Sequence, residues 1–271
     1  MGGSVFLLTV PLFSVVGAIL LEGTLSQTLL FVLLFAMSNG FIGLLDDATK
    51  FKNHQNQGLL PWQKLFLQSL FVGAFFYLLL RFGEKSYDVF LPYARVFVPW
   101  GLPLLFVFFI AALGILNSTN LSDGVDGLTA SSSLVIGAFF IWEGVLSEEG
   151  ALTALGISLC GTMLGFLLFN HHPAKIFMGD TGSLFLGALT VGAAFLTGNP
   201  AVLPIYTFLY LLEGGSVMLQ VLVFKRTGKR LFRMAPFHHH LEKCGWSENK
   251  IVIVFSFITL LACLFAHFAL L

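Results

Sequence analysis

Nine stretches of this chain are long and apolar enough to cross the hydrocarbon core of a bilayer as helices, which takes about 20 residues each. They run approximately over 3–21, 28–45, 63–82, 99–116, 127–147, 151–169, 181–197, 201–224 and 251–271. No water is available at that depth to satisfy backbone N–H and C=O groups, so such segments must be helical. The expected fold class is therefore all-α: a polytopic integral membrane bundle of about nine transmembrane helices, forming one domain over 1–271. The first run does not read as a signal peptide, because no basic residue precedes it, Pro11 interrupts it and Glu22 follows without a small-residue cleavage pattern. Composition excludes the alternatives. Only 10% of the residues are charged and 57% are hydrophobic, with 31 Phe, whereas a soluble domain carries roughly 25% charged residues. Such a chain cannot cover itself with polar surface, which removes soluble enzymes, disordered proteins and nucleic-acid binders. Cys160, Cys244 and Cys263 have no paired spacing and read as packing residues.

Nine spans put alternate connections on opposite sides. Segments 46–64, 117–126, 170–180 and 225–250 share one side and hold Lys50, Lys52, Lys64, Lys175, Lys225, Arg226, Lys229, Arg230, Arg233, Lys243 and Lys250, eleven of the 14 basic residues. The other side has Arg81, Lys85 and Arg95. The positive-inside bias makes the first side cytoplasmic, with Met1 also inside. The same four segments contain DDATK, NLSDGVDG, NHHPAKIFMGD and MAPFHHHLE. A set of Asp, Asn, His and Lys converging on one membrane face reads as a polar site, so the active site is expected at the cytoplasmic face.

Asp46 and Asp47 adjoin at the end of a span, where adjacent carboxylates repel unless a cation or a raised pKa relieves them; the plainer reading is a solvated helix end. Acids are unfavourable at a helix C-terminus, and Lys50 could compensate. Asn120, Asp123 and Asp126 come at steps of three, which on a helix keeps them on one broad face. Their segment holds two acids and no base, a pattern Mg2+ or a basic partner would explain. Gly124 and Gly127 permit a tight backbone or close approach of a ligand, while Asp126 could equally be the N-cap of the next span. Asp180, before TGS, is either an N-cap or a hard oxygen ligand for Mg2+ where phosphate meets a helix N-terminus. Asn170 ends a span, and Phe177 offers a ring to a flat base, although packing is the commoner role for Phe in such a chain. His238, His239 and His240 lack zinc-site spacing and, with Arg226, Arg230 and Arg233 nearby, suit a diphosphate. His54, His171, His172 and His267 read as interfacial or packing residues. Glu213, the one acid near mid-span, must face the bundle interior as a structural or functional group.

In this order and at these distances, DDATK, NLSDGVDGL, NHHPAKIFMGDTGSL and MAPFHHHLEKCGW resemble the bacterial phospho-N-acetylmuramoyl-pentapeptide transferases, within the wider polyprenyl-phosphate hexose-1-phosphate transferases. The resemblance covers essentially the whole chain. It implies a Mg2+-dependent enzyme of the bacterial inner membrane that joins UDP-MurNAc-pentapeptide to undecaprenyl phosphate in peptidoglycan biosynthesis, giving lipid I and UMP, and a homodimer is a fair expectation. Carried onto matching positions, it makes Asp46 and Asp47 the catalytic acidic pair and Asp180 a catalytic residue and the leading metal ligand. Asn120, Asp123, Gly124, Asp126, Asn170 and Phe177 match the nucleoside and phosphate pocket. Gln220, His238, His239 and His240 match the loop that closes over the sugar nucleotide, with His239 and His240 among the catalytic residues. Lys50 and Lys64 match basic positions of the second cytoplasmic loop.

Family members have ten spans and a basic segment before the Met-Gly-Gly, so the first span and a lysine usually assigned to the phosphate site are expected to have no counterpart here. Three other readings compete: a GlcNAc-1-phosphate transferase, which typically has a different His-containing loop; a transporter coupled through Glu213; and an inactive remnant. Transporters place key polar groups near the midplane and often show inverted repeats, whereas here the polar groups cluster in one set of loops.

Overall fold

The computed structural model describes residues 2–53, 58–83, 89–91, 96–99 and 101–271. Met1, His54, Lys85 and Arg95 lie outside the described residues. A short 3-10 turn, Gly2–Val5, leads into α1 (Phe6–Glu22), followed by α2 (Gln27–Asn53) and α3 (Pro61–Phe82). After these come α4 (Leu102–Ser122), α5 (Leu128–Leu146), α6 (Gly150–Asn170) and α7 (Gly179–Ala193). The chain ends in α8 (Leu203–Tyr206), α9 (Phe208–Thr227), α10 (Phe237–Lys243) and α11 (Glu248–Leu270). One exception to the all-α expectation is a hairpin of β1 (Val89–Leu91) and β2 (Val96–Val98), antiparallel with Val89 opposite Val98.

Among the described residues, eight helices are long and apolar enough to cross a membrane. The seventh apolar run is the difference from nine. It forms α7, whose 15 residues reach only about 22 Å at 1.5 Å per residue, short of a hydrocarbon core of about 30 Å. Every residue from Thr181 to Ala193 is buried, because α1, α2, α4 and α5 all pack against this helix. Its continuation over 194–202 leaves the helix in largely buried surroundings, the setting in which irregular backbone is tolerated at membrane depth. The eighth run is also interrupted: a 3-10 turn at Pro200–Val202 and the single turn of α8 precede α9, with Pro200 and Pro204 removing backbone donors there.

The apolar faces divide between protein and lipid. In α1, Phe6, Val10, Ser14 and Ala18 recur every fourth position and are buried, and α6 is the main partner of that helix. Leu8, Leu12, Phe13 and Leu20 of the same helix are exposed, as a lipid-facing surface requires. A ring cluster secures the end of α7: Phe35 stacks on Phe75 at 4.6 Å, and Phe195 meets Phe75, Phe76 and Phe108 edge-on at 5.6, 5.7 and 5.9 Å.

Polar anchors fix the ends. Glu22 Oε1 accepts from the Ala151 N–H at 2.9 Å, capping α6 from the end of α1, and Asn199 Nδ2 donates to the Phe90 carbonyl at 2.9 Å, holding the hairpin at the same end of the bundle. His267, expected to be a packing residue, pairs through Nδ1 with Glu143 Oε1 at 2.7 Å, joining α11 to α5. Glu143 is thus a further buried acid within the spans, besides Asp46, Asp47 and Glu213. The connections α2–α3, α4–α5, α6–α7 and α9–α11 emerge together at the opposite end.

Candidate active site

The helix α2 continues past its apolar run, so Asp46 and Asp47 lie inside it, both buried. They face different partners. Asp46 Oδ2 pairs with Lys50 Nζ at 2.6 Å, and its Oδ1 accepts from the Leu59 N–H at 2.7 Å. Asp47 accepts from the N–H groups of Asp180 and Thr181 at 3.2 and 3.0 Å and from the Thr181 hydroxyl at 2.7 Å. It therefore caps the N-terminus of α7 from another helix, where a negative charge is favoured. Two glycines allow this approach. Gly43, one turn earlier on α2, leaves no room for a Cβ beside the Asp180 carbonyl, and Gly179 enters α7 at φ +72° against the Asp47 carboxylate, a conformation other residues adopt only with strain.

Asp180 is the meeting point. Its Oδ2 accepts from Lys50 at 3.1 Å and Lys64 at 2.9 Å, and its Oδ1 accepts from Asn120 Nδ2 at 3.0 Å. Asn120 also accepts from Lys64 at 3.1 Å and donates to Ser183 Oγ at 2.8 Å. Asp180 is thus not an N-cap; Met178 holds that position and Asp180 lies in the first turn. Lys50 compensates Asp46 and Asp180 rather than Asp47.

Asp123, just past the end of α4, completes the cluster. Burial pushes its carboxyl up to about 8, reinforced by the charges of Asp180, Asp47 and Asp126 and only partly offset by the Gly179 N–H. Carboxylate oxygens of Asp46, Asp47 and Asp180 lie within 4.8 Å of one another. Together with Asp123 they make four acids against Lys50 and Lys64, an excess of two negative charges if all ionise. Hard oxygen donors with that excess fit a divalent cation such as Mg2+.

The helical step of three does not carry beyond Ser122, so Asp126 turns away from Asn120 and Asp123. Its Oδ2 accepts from the Ala174 N–H at 2.9 Å and faces His172 Nδ1 at 3.3 Å. Its own N–H donates to Glu248 Oε2 at 3.2 Å. Gly127, not Asp126, occupies the N-cap of α5. Asn170 is buried and clasps two segments, accepting from the Gly127 N–H at 3.1 Å and donating to the Ile176 carbonyl at 2.9 Å. Phe177, for which packing was the commoner expectation, is 67% exposed, and Gly2 holds its carbonyl at 2.9 Å. Its ring is available to stack.

The His triplet lies in a short helix, α10, rather than in a loop. His238 is buried: Nδ1 pairs with Glu213 Oε2 at 3.0 Å, its N–H donates to Glu213 Oε1 at 3.2 Å, and its ring leaves no space for a Cβ on Gly124. Glu213 faces the interior as expected, and its role there is to anchor α10. His239 pairs with Glu242 and is partly exposed. His240 accepts from the Arg233 N–H at 3.1 Å between the rings of Phe232 and Phe237. Gln220 is wholly engaged with its own loop, accepting from the Leu231 and Phe232 N–H groups at 3.0 and 2.9 Å and donating to the Phe232 carbonyl at 3.2 Å. Arg233 donates to the Lys243 carbonyl at 2.6 Å. Cys244 is exposed rather than packed.

Sequence reasoning missed Thr181, Ser183 and Glu248, and set His172 aside. The hydroxyls follow Asp180 directly in DTGS and could have been weighed with it. Glu248 reaches its partners only through the fold.

Residues 29–198 match the family described as glycosyl transferase family 4. The phospho-N-acetylmuramoyl-pentapeptide-transferase of Carboxydothermus hydrogenoformans is 40% identical over 277 residues, covering all of this chain and 84% of that protein. The protein of the same name from Clostridium botulinum strain Eklund 17B is 39% identical over 273 residues, covering all of this chain and 82% of its own. That from Lactobacillus delbrueckii subsp. bulgaricus is 40% identical over 256 residues, covering 94% and 79%. The family match ends before Gln220 and the His triplet, so likeness over that region comes from these relatives.

Proposed function

The chain belongs to glycosyl transferase family 4 and resembles its phospho-N-acetylmuramoyl-pentapeptide-transferases over its full length, and on that premise we propose that it transfers phospho-MurNAc-pentapeptide from its UDP derivative to undecaprenyl phosphate, yielding lipid I and UMP for peptidoglycan synthesis. One observation carries the reading: Asp46, Lys50, Lys64, Asn120 and Asp180, from three of the four motif segments, meet in one hydrogen-bonded cluster. Purified protein releasing UMP only when both substrates are present tests it.

The chemistry needs positioning more than a strong base. A lipid phosphate monoester is already ionised near neutral pH, and its oxygen attacks the β-phosphorus as the bond to the α-phosphate oxygen breaks and UMP leaves. Asp46 and Asp180 would hold Mg2+, with the Asp123 carboxyl in electrostatic range beside them; the ion when bound neutralises the diphosphate oxygens. Lys50 and Lys64 sit where they can exchange Asp180 for incoming phosphate oxygens. Asp47 holds the α7 N-terminus in register, so that Asp180 stays aimed at the cluster. Phe177 stacks the base, Asp126 and Gly124 line the nucleoside pocket, and Asn170 fixes the segments that carry them. His239 is the member of the triplet positioned to meet substrate, while His238, His240 and Gln220 hold α10 and its preceding loop. A free Glu213 carboxylate, which a coupled transporter would need, is spent on His238.

Two predictions follow from this arrangement. Asp123 retains a proton up to about pH 8 in the metal-free protein; its folded value is raised, so that the stability it lends is lost as pH rises from the ordinary carboxylate range through 8. A cation entering the cluster displaces that proton, and Mg2+ affinity should rise roughly tenfold per pH unit between about 6 and 8. Calorimetry across that range checks it; a flat profile would detach Asp123 from the metal. The second concerns orientation. If the motif face is cytoplasmic, Cys244 should resist an impermeant thiol reagent in intact cells and react after lysis, while a cysteine at exposed Ser147 should react in intact cells. Labelling of Cys244 from outside would invert the topology.

A further inference from the structure

We propose that Asp126, His172 and Glu248 form a second cation site, one that takes Zn2+ rather than Mg2+. His172 Nδ1 lies 3.3 Å from Asp126 Oδ2 and 3.3 Å from Glu248 Oε2, and the three donor atoms fall within 4.8 Å of one another. As hydrogen bonds these contacts are poor. One ring proton shared between two oxygens at 3.3 Å makes two weak bonds, whereas charge-assisted bonds of this kind close to about 2.7–2.9 Å. As edges of a coordination tetrahedron they fit, because ligands at about 2.05 Å from zinc stand about 3.3 Å apart.

The surroundings orient the donors. Asp126 Oδ2 is held by the Ala174 N–H at 2.9 Å and Glu248 Oε2 by the Asp126 N–H at 3.2 Å, outer contacts of the sort that fix metal ligands. His172 is 42% exposed, which gives a cation an entry path and a water access to the fourth position. The ligands come from three separate segments: the α4–α5 connection, the α6–α7 connection and the first turn of α11. One imidazole and two carboxylates suit a transition cation, whereas the all-oxygen set led by Asp46 and Asp180 suits Mg2+.

Zinc here would withdraw Asp126 from the nucleoside pocket, a consequence that rests on the proposed function, whereas the binding itself does not. The test is therefore made without substrate. The full chain, freed of any polyhistidine tag and held in detergent with excess Mg2+, is titrated with Zn2+ by calorimetry. One zinc per chain is expected. His172→Ala and Glu248→Gln should each weaken binding at least tenfold, with melting curves in Mg2+ confirming that the variants fold. Asp180→Asn and Cys244→Ser should leave it unchanged, the latter because Cys244 Sγ and His240 Nε2, 3.7 Å apart, are the competing soft pair. Unaltered affinity in both triad variants, loss in Cys244→Ser, or no binding by the unmodified chain would overturn the proposal. In a separate arm, Zn2+ should raise the KM for the UDP-linked substrate at least tenfold in the unmodified enzyme but not in Glu248→Gln.

Discussion

Replacing Asp180 with Asn should lower turnover by about a hundredfold to a thousandfold, the scale on which removal of one electrostatic contact at a reacting centre is felt. The carboxylate receives Lys50, Lys64 and Asn120 at once, so its loss disperses the groups that would meet the phosphates as well as the oxygens that would meet Mg2+. The melting temperature should stay level or fall modestly, because Lys50 and Lys64 lose a charged partner while an Asn oxygen can still accept from them. Asp46→Asn should lose activity on a similar scale. Asp47→Ala should differ in kind. Its carboxylate caps α7 through two N–H groups and a hydroxyl, and a lost cap costs about 1 kcal/mol, so activity and melting temperature should fall together. Mg2+ titration separates the roles: Asp180→Asn should need more Mg2+, and an unchanged requirement would move the metal role elsewhere.

The contrast between Asp46 and Asp47 marks where sequence stops being informative. Their adjacency makes them look like one functional unit, and on a helix adjacent residues diverge by about 100°. One carboxylate consequently turns toward Lys50 and the other toward α7. Which does which depends on the close approach at Gly43 and Gly179, and that is a tertiary fact. The spans themselves were legible because about 20 apolar residues in lipid have one solution. The seventh run was not, since a helix enclosed by protein needs no minimum length and hydropathy cannot distinguish burial in protein from burial in lipid; the eighth is a span in α9, with only its start interrupted.

The candidate site was legible as a set of segments and less so as a set of roles. Parity of the spans together with the Lys and Arg count put DDATK, NLSDGVDG, NHHPAKIFMGD and MAPFHHHLE on one face, and their side chains do meet. The step of three linking Asn120 to Asp126 failed because α4 stops at Ser122, which sends Asp126 to His172 and Glu248. Polar candidate residues such as Gln220, Asn170 and His238 turned out to clasp backbone or anchor α10. A buried donor or acceptor must be satisfied, so a polar residue in a motif is as readily a fastener as a contact to substrate.

Substrate class is the remaining large effect. With undecaprenyl phosphate and Mg2+ supplied, the purified protein should release UMP from UDP-MurNAc-pentapeptide and not from UDP-GlcNAc. Both nucleotides offer the same uridine and diphosphate to Phe177, Asp126 and the acidic cluster, so discrimination has to arise beyond the diphosphate, where the lactyl-peptide arm meets 225–250. Gln220, from α9, together with His238 and His240 is committed to holding the shape of that segment, which leaves His239 and the exposed basic side chains to face the arm. His239→Ala should therefore cut turnover strongly with little change in melting temperature. His238→Ala should instead destabilise the protein, because it strips the buried Glu213 of its ring partner. Release of UMP from UDP-GlcNAc alone would transfer the chain to the GlcNAc-1-phosphate branch, and equal loss of stability in both His variants would mean that His239 is a fastener like its neighbours.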